Sequence, residues 1–321
     1  MNRAHEKIVL PAGCGSSDRL LIHVHRATSG GRILEKAPAV ILAHGLEGSE
    51  ESLYMVRFAE KLLREGFHAI RMNLRGCGEG EKLATRLYDA GLSIDLHSVL
   101  EYVQKNISSK TALAGFSLSA NLVLKYMGED RAERQRQSFA RGGRGRIAGR
   151  HAYPDVFIAV SPPLDLVASS FHLDAPSSFI YRKHFLSDMR ARVLKQNKFS
   201  NIPMAREKLK TVKRWVDFDH LFMAPTAGFP GAQEYYETSS SARYISGIDR
   251  PGFVLHASDD PIINRKTWET IRWKNRPWIT TELTRHGGHM GWLAERGSPL
   301  FPDRRWMDYR LLSFLHEWKK S

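Results

Sequence analysis

The sequence predicts an α/β fold on a mostly parallel sheet, and three observations carry that prediction. From residue 38 onward, short apolar β-rich runs alternate with helix-length periodic segments, the pattern of parallel strands joined by crossover helices. The length, 321 residues, suits one α/β unit of roughly 200–250 residues with an insertion of about 80. A composition of 42% hydrophobic and 26% charged residues supports a sizeable core and excludes disordered, collagen-like and coiled-coil classes.

Lys7-Ile8-Val9-Leu10 and Leu20-Leu21-Ile22-His23-Val24-His25, separated by a Gly/Ser loop, read as a leading antiparallel pair at the sheet edge. Ala39-Val40-Ile41-Leu42-Ala43 is a buried strand ending at His44-Gly45. A helix over Glu51 to Arg64 follows, stopped by Gly66. Phe67 to Asn73 gives the next strand, Ser93 to Lys105 an amphipathic helix, and Lys110 to Ala114 a strand that meets Gly115-Phe116-Ser117-Leu118. A helix from Ser119 to Met127 comes next.

Asp155 to Val160 is another buried strand, stopped by Ser161-Pro162-Pro163. From Leu164 to about Ser246 the sequence offers aromatic and basic helical patterns with no comparable strand. Phe253 to Ala257 and Trp278 to Leu283 restore the strand rhythm, and Arg305 to Trp318 closes the chain as a helix. The expected organisation is therefore a core of residues 1–161 and 247–321, with a helical cap over 162–246 inserted between two late strands.

The formal net charge is +14, and much of it is local: the stretch from Arg131 to Arg150 holds seven arginines against Glu133 alone, leaving +8 elsewhere. Such a Gly/Arg-rich stretch reads as a surface insertion over 131–150. It lacks the interleaved aromatics of a nucleic-acid platform, so no specific nucleic-acid partner is expected. No apolar run approaches the ~18–20 residues of a spanning helix, and the start of the chain carries no secretory pattern, which reads as cytoplasmic. Basic charge beside an apolar cap leaves peripheral membrane contact open. Cys14 and Cys77 are too few for a disulfide scaffold and stand in no zinc pattern.

A serine becomes a nucleophile when an imidazole takes its proton, a carboxylate fixes the imidazole, and backbone N–H groups receive the oxyanion. Three G-x-S triplets occur, at Gly15, Gly91 and Gly115, and only the last lies between a strand and a helix, which selects Ser117 over a plain helix-capping serine. Ser119 stands where a second glycine is usual, small enough for close helix–strand approach yet more crowded. The acid follows a later strand in Asp259-Asp260-Pro261-Ile262-Ile263. Asp260 is preferred, with Ile262 and Ile263 packing beside it and Asp259 capping the turn.

The base belongs in Arg285-His286-Gly287-Gly288-His289-Met290-Gly291, with His289 the candidate. The oxyanion donors are the N–H of Leu118, after the serine, and of Leu46, in the His44-Gly45-Leu46-Glu47-Gly48-Ser49 loop. The order Ser117, Asp260, His289 is that of α/β-hydrolases and of neither major serine-protease order. No H-E-x-x-H occurs, and neither Gly76-x-Gly78-x-Gly80 nor Gly142-Gly143-x-Gly145 makes a nucleotide loop, so no metal and no organic cofactor is assigned.

These motifs together resemble the YheT-like α/β-hydrolases, related to α/β-hydrolase-domain lipases and medium-chain ester synthases. The resemblance runs through residues 44–49, Asn73-Leu74-Arg75-Gly76-Cys77-Gly78, Leu87-Tyr88-Asp89-Ala90-Gly91, residues 115–118, and Ser161-Pro162-Pro163-Leu164-Asp165-Leu166. It continues through Phe218-Asp219, Glu234-Tyr235-Tyr236, Ser239-Ser240-Ser241, Ala257-Ser258-Asp259-Asp260-Pro261 and Gly287-Gly288-His289-Met290-Gly291. It implies the α/β-hydrolase fold, esterase-like chemistry, and Ser117, Asp260 and His289 as the triad. The sequence departs from that family at Ser119 and Ala120, where glycines are usual, and in the Arg-rich stretch.

The resulting expectation is a carboxylesterase-like serine hydrolase acting on a small-molecule ester with a short- to medium-chain acyl group, with lipid-like esters within that class. Phe171, Phe179, Tyr181, Phe185, Tyr235 and Tyr236 are candidate acyl-pocket residues of the cap. An acyl-CoA:alcohol O-acyltransferase uses the same acyl-serine, and a polyanion-binding protein acting through 131–150 is the rival of a different class.

Overall fold

The computed structural model describes residues 4–13, 17–130, 136, 152–195 and 206–321. Cys14 and, apart from Arg136, the basic 131–150 stretch lie outside them. Eight strands form one sheet: β1 (His5–Pro11), β2 (Arg19–His25), β3 (Ala39–Ala43), β4 (His68–Met72), β5 (Thr111–Phe116), β6 (Val156–Val160), β7 (Gly252–Ala257) and β8 (Ile279–Thr284). Their spatial order is β1-β2-β4-β3-β5-β6-β7-β8. The pairs β1–β2 and β2–β4 are antiparallel and all the others are parallel.

β3 through β7 are buried along their whole lengths, as parallel strands covered on both faces must be. Alternation along β3 shows the two layers. Ala39, Ile41 and Ala43 pack with α2 (Ile94–Asn106) and α3 (Leu118–Gly128), whereas Val40 and Leu42 pack with α1 (Leu53–Arg64) and a C-terminal helix over Trp306–Lys320. Gly66 takes φ 72° just past α1, the left-handed stop that its glycine predicts. Boundaries differ from the sequence expectation by one or two residues: α1 begins at Leu53 rather than Glu51, and β4 spans His68–Met72 rather than Phe67–Asn73.

Strand order reverses about β3, which has β4 on one side and β5 on the other. The C-terminal ends of β3 and β5 thus flank the switch point where ligands bind in open α/β sheets. Between β6 and β7 the described residues hold helices and no strand, the longer ones being α4 (Leu166–Asp174), α5 (Phe179–Lys195) and α6 (Ala232–Ser239), with α7 (Trp306–Lys320) the closing helix. Their apolar faces form a cluster around Leu173, Met189, Trp215, Phe218 and Phe222, and Leu46 and Leu118 of the sheet edge pack against it. Among the described residues no helix is long and apolar enough to cross a membrane.

Candidate active site

β5 ends at Phe116 and α3 begins at Leu118, so Ser117 alone turns the chain, at φ 53° and ψ −118°. A non-glycine residue there is strained and needs support from its surroundings. Ser117 N–H donates to the Val160 carbonyl at 2.8 Å, and the Ser117 carbonyl accepts from Ala120 N–H at 2.9 Å. Gly115 makes the turn sterically feasible, because a Cβ there would meet Ser119 O at 2.3 Å and Ala120 N at 2.8 Å, both backbone atoms. Ser119 is fully buried, and its hydroxyl donates to the His44 carbonyl at 2.5 Å. The serine in the usual glycine position thus ties α3 to the loop after β3.

That loop lies against the serine: a Cβ on Gly45 would come within 3.0 Å of Ser117 Cβ. The N–H groups of Leu46 and Leu118 have no partner among the described residues, Leu118 being the first residue of a helix and so without an intrahelical acceptor. The neighbouring backbone is fixed, with Gly45 N–H donating to Tyr54 Oη at 2.8 Å and Glu47 N–H to Tyr88 Oη at 3.0 Å. His44 is fully buried, with Nδ1 2.8 Å from Gly45 O and Nε2 3.1 Å from Leu74 N. Burial lowers its pKa to about 4, so it is a neutral strut with Nδ1–H donating.

Glu47 holds φ 57° beside Leu46. Its carboxylate faces Arg192 of α5, with Nε at 3.2 Å and Nη2 at 3.1 Å, and receives Tyr88 Oη at 3.4 Å. Burial raises the Glu47 pKa, opposed by the Arg192 charge. Sequence reasoning did not find this pair. The two residues are 145 positions apart, and nothing local marks Arg192 among the many basic residues of its helix.

Asp260 is buried in the turn after β7. Its Oδ1 accepts from the N–H groups of Ile262 at 2.8 Å and Ile263 at 3.0 Å, and its Oδ2 lies 2.8 Å from His289 Nδ1. His289 Nε2 in turn lies 2.9 Å from Ser117 Oγ. The structure therefore brings together all three side chains that the sequence selected. The neighbouring pair separates from them: Asp259 Oδ1 accepts from Gly288 N–H at 2.8 Å, and its Oδ2 lies 3.3 Å from exposed His286. The Gly288 N–H is the main reason that Asp259 titrates below the usual carboxylate range. Asp259 thereby pins the histidine loop, in which Gly288 (φ 54°) and Met290 (φ 65°) take left-handed conformations on either side of His289.

A cavity of about 100 Å³ opens beside Ser117, lined at that end by Leu46, Leu118 and Ile263 and at the other by Phe185, Met189 and Trp215. Tyr235 and Tyr236 also line it, as the sequence suggested. Phe171, Phe179 and Tyr181 do not: they are 56%, 54% and 36% exposed. Phe171 lies on the outer face of α4, and Phe179 and Tyr181 on that of the first turn of α5, after a short 3₁₀ turn at Pro176–Ser178, which the apolar count alone did not reveal. Two buried acids also line the cavity, Asp89 and Asp219, and the latter stands on a π-helical turn over Asp219–Met223. Burial lifts its pKa to about 7, and Tyr236 Oη donates to it at 2.6 Å. Among the described residues the groups with metal-like donor spacing lie elsewhere, at His5, His23 and His25 and at His23, Glu50 and Glu79.

The alpha/beta hydrolase family profile matches residues 40–302. The putative esterase YheT of Escherichia coli is 26% identical over 87% of this chain and 76% of its own length. A monoacylglycerol lipase of Saccharomyces cerevisiae is 28% identical over 87% of this chain, which spans only 59% of that protein. Among solved structures, the Pyrococcus furiosus esterase Pf2001 superposes with a TM-score of 0.57 over 98% of this chain and 92% of its own, at 16% identity. The profile runs from β3 past the histidine loop, taking in every residue placed around Ser117, and the chain belongs to the alpha/beta hydrolase family.

Proposed function

We propose that the chain hydrolyses carboxylic esters of short- to medium-chain acids through an acyl-serine intermediate. One observation carries this reading: Ser117 Oγ, His289 and Asp260 are linked at 2.9 and 2.8 Å, at the mouth of an apolar cavity. His289 Nε2 takes the Ser117 proton as Oγ attacks the ester carbonyl, and Asp260 holds Nδ1–H and balances the imidazolium. Leu46 and Leu118 N–H groups receive the oxyanion. Collapse passes the His289 proton to the departing alkoxide, which leaves as the alcohol. Water, deprotonated by His289, then attacks the acyl carbon and releases the acid, and the proton returns to Ser117.

Residues 162–246 act in this scheme as the cap that closes the acyl site. The cavity beside Ser117 is lined mainly by apolar side chains, which suits an acyl chain rather than a polar acid. The relatives named as an esterase and a monoacylglycerol lipase support an ester, and a lipid-like one, as the substrate class.

The test is fluorophosphonate labelling together with turnover of p-nitrophenyl esters from C2 to C12. Labelling and turnover are expected in the wild type, absent in Ser117→Ala, and strongest among the short- to medium-chain esters. Well-folded wild type that neither labels nor turns over any ester refutes the proposal. An ester product exceeding free acid when ethanol is added would replace hydrolysis by acyl transfer.

A further inference from the structure

The antiparallel edge of the sheet carries a second concentration of chemistry, away from Ser117. His23 and His25 are two apart on β2 and so share a face, and His5 on β1 is the direct cross-strand partner of His25. One donor nitrogen from each of the three lies within 4.8 Å of the other two. The His5 and His25 rings stack at 4.3 Å, and the His5 and His23 centroids are 5.9 Å apart. On the far side of His23 stand two carboxylates, with Nε2 3.2 Å from Glu79 Oε2 and 3.6 Å from Glu50 Oε1.

Two buried atoms of this cluster are left without hydrogen-bond geometry to any partner among the described residues: His23 Nε2 and Glu50 Oε2, on side chains 3% and 1% exposed.

We infer that this face of β1–β2 binds one divalent transition ion of the zinc type through His5, His23 and His25, with Glu50 and Glu79 orienting His23 from behind. Two histidines on one strand and a third across an antiparallel neighbour supply three converging imidazoles, a donor set suited to zinc, cobalt, nickel or copper rather than magnesium or calcium. A carboxylate behind a ligating histidine is the recurring arrangement that fixes its ring.

Two cations border the site. Lys7 is held by Glu79 at 2.7 Å on the solvent side. Arg71 Nη2 lies 3.2 Å from His25 Nε2 and yields that lone pair to the ion, keeping its bonds to the Glu50 carbonyl and the Glu51 carboxylate.

The experiment is calorimetric titration of the untagged full chain with zinc chloride, with cobalt chloride absorbance as a second readout. One equivalent is expected to bind in the micromolar range or tighter and to raise Tm. His5→Ala and His25→Ala weaken binding at least about tenfold while leaving the circular dichroism spectrum unchanged, and His316→Ala leaves it intact. His5 is exposed on an edge strand, so its variant keeps the test meaningful where a change at buried His23 disturbs the sheet. Zinc binding weaker than millimolar, or equal in wild type and His5→Ala, overturns the inference. Because ester turnover is not the readout, this result stands apart from the proposed hydrolysis.

Discussion

Gly115→Ala isolates the geometry of the serine turn. An added Cβ would sit 2.3 Å from Ser119 O, 2.6 Å from Ser119 C and 2.8 Å from Ala120 N, against an ordinary contact of 3.4 Å or more. All three are backbone atoms of the first turn of α3, so no side-chain rotation relieves the overlap, and β5 and α3 must part by about 1 Å. Overpacking of this kind costs about 1–3 kcal/mol of stability. Ser117 lies between the two displaced elements, and a 1 Å misplacement of a reacting group costs about 10²-fold in rate. The prediction is a kcat lowered about 100-fold per folded molecule, with Tm lowered by several degrees. Gly128→Ala is the control: its Cβ would meet Tyr244 O at 1.9 Å, an equal or worse overlap at the opposite end of the same helix. It should lower Tm comparably and leave kcat within about threefold. Titrating active sites with a fluorophosphonate, alongside urea denaturation, separates the folded fraction from the rate. Equal kcat losses in the two variants, or full kcat in Gly115→Ala, would refute the turn argument.

Asp260→Asn keeps an oxygen for the Ile262 and Ile263 N–H groups but no longer charges the His289 partner; kcat should fall about 10³–10⁴-fold, as for triad acids in general, while Asp259→Asn changes it less than about tenfold. A larger loss at Asp259 in steady-state assays would reverse the assignment of the acid. Arg192→Met breaks the tie from α5 to Glu47 and should reduce kcat about 5- to 100-fold with little change in KM, partly rescued by Arg192→Lys; a pure KM effect would contradict a role through the Leu46 N–H.

Asp219, lifted by burial from 3.8 to about 7, holds a proton in the folded state that the unfolded chain gives up between about pH 4 and 7, so it makes stability fall as pH rises through that window. Asp219→Asn should flatten that slope and gain a few kcal/mol relative to wild type at pH 8 compared with pH 4, read by urea denaturation; parallel curves would exclude it.

The parallel strands and the three residues around Ser117 were legible because their signals are local. Each of Ser117, Asp260 and His289 lies just after a strand that the sequence marks, and glycines or a proline mark each turn. Asp260 was separable from Asp259 because Ile262 and Ile263 form an apolar pair that packs beside the nearer acid, which leaves Asp259 to cap the turn. What stayed hidden depends on contacts across the chain. Glu47 looks like any loop acid until Arg192 reaches it, and nothing local says that the Tyr88 hydroxyl, 41 positions away, accepts from the Glu47 N–H. His23-Val24-His25 displays a strand-borne pair openly, but its meaning depends on His5 being the residue opposite, and register follows from pairing rather than composition. The cap aromatics failed in the opposite sense: a count of rings cannot say which face of a short helix they occupy.

The helices between β6 and β7 are tied into the sheet at the residues that border Ser117, and this bears on what sets the acyl chain length. Asn121, buried on α3, donates to both the Ala90 and Ser239 carbonyls, at 3.0 and 2.9 Å, and accepts from Ser241 N–H at 2.8 Å. Tyr235 Oη accepts from Ala90 N–H at 2.8 Å, and Arg192 grips Glu47. Buried amide and hydroxyl groups paired in this way resist displacement, because an opening that breaks them leaves several polar atoms unsatisfied at once. The wall formed by α6 and the C-terminal half of α5 is therefore the fixed side of the cavity. The opposite side, where α4 meets α5, presents Phe171, Phe179 and Ile180 to solvent and contacts the Asp260 turn through His172 Nε2 and the Pro261 carbonyl at 3.2 Å. Substitutions at Phe185, which lines the cavity from the first half of α5, should therefore move the chain-length limit, while those at Tyr235 should lower turnover at every length.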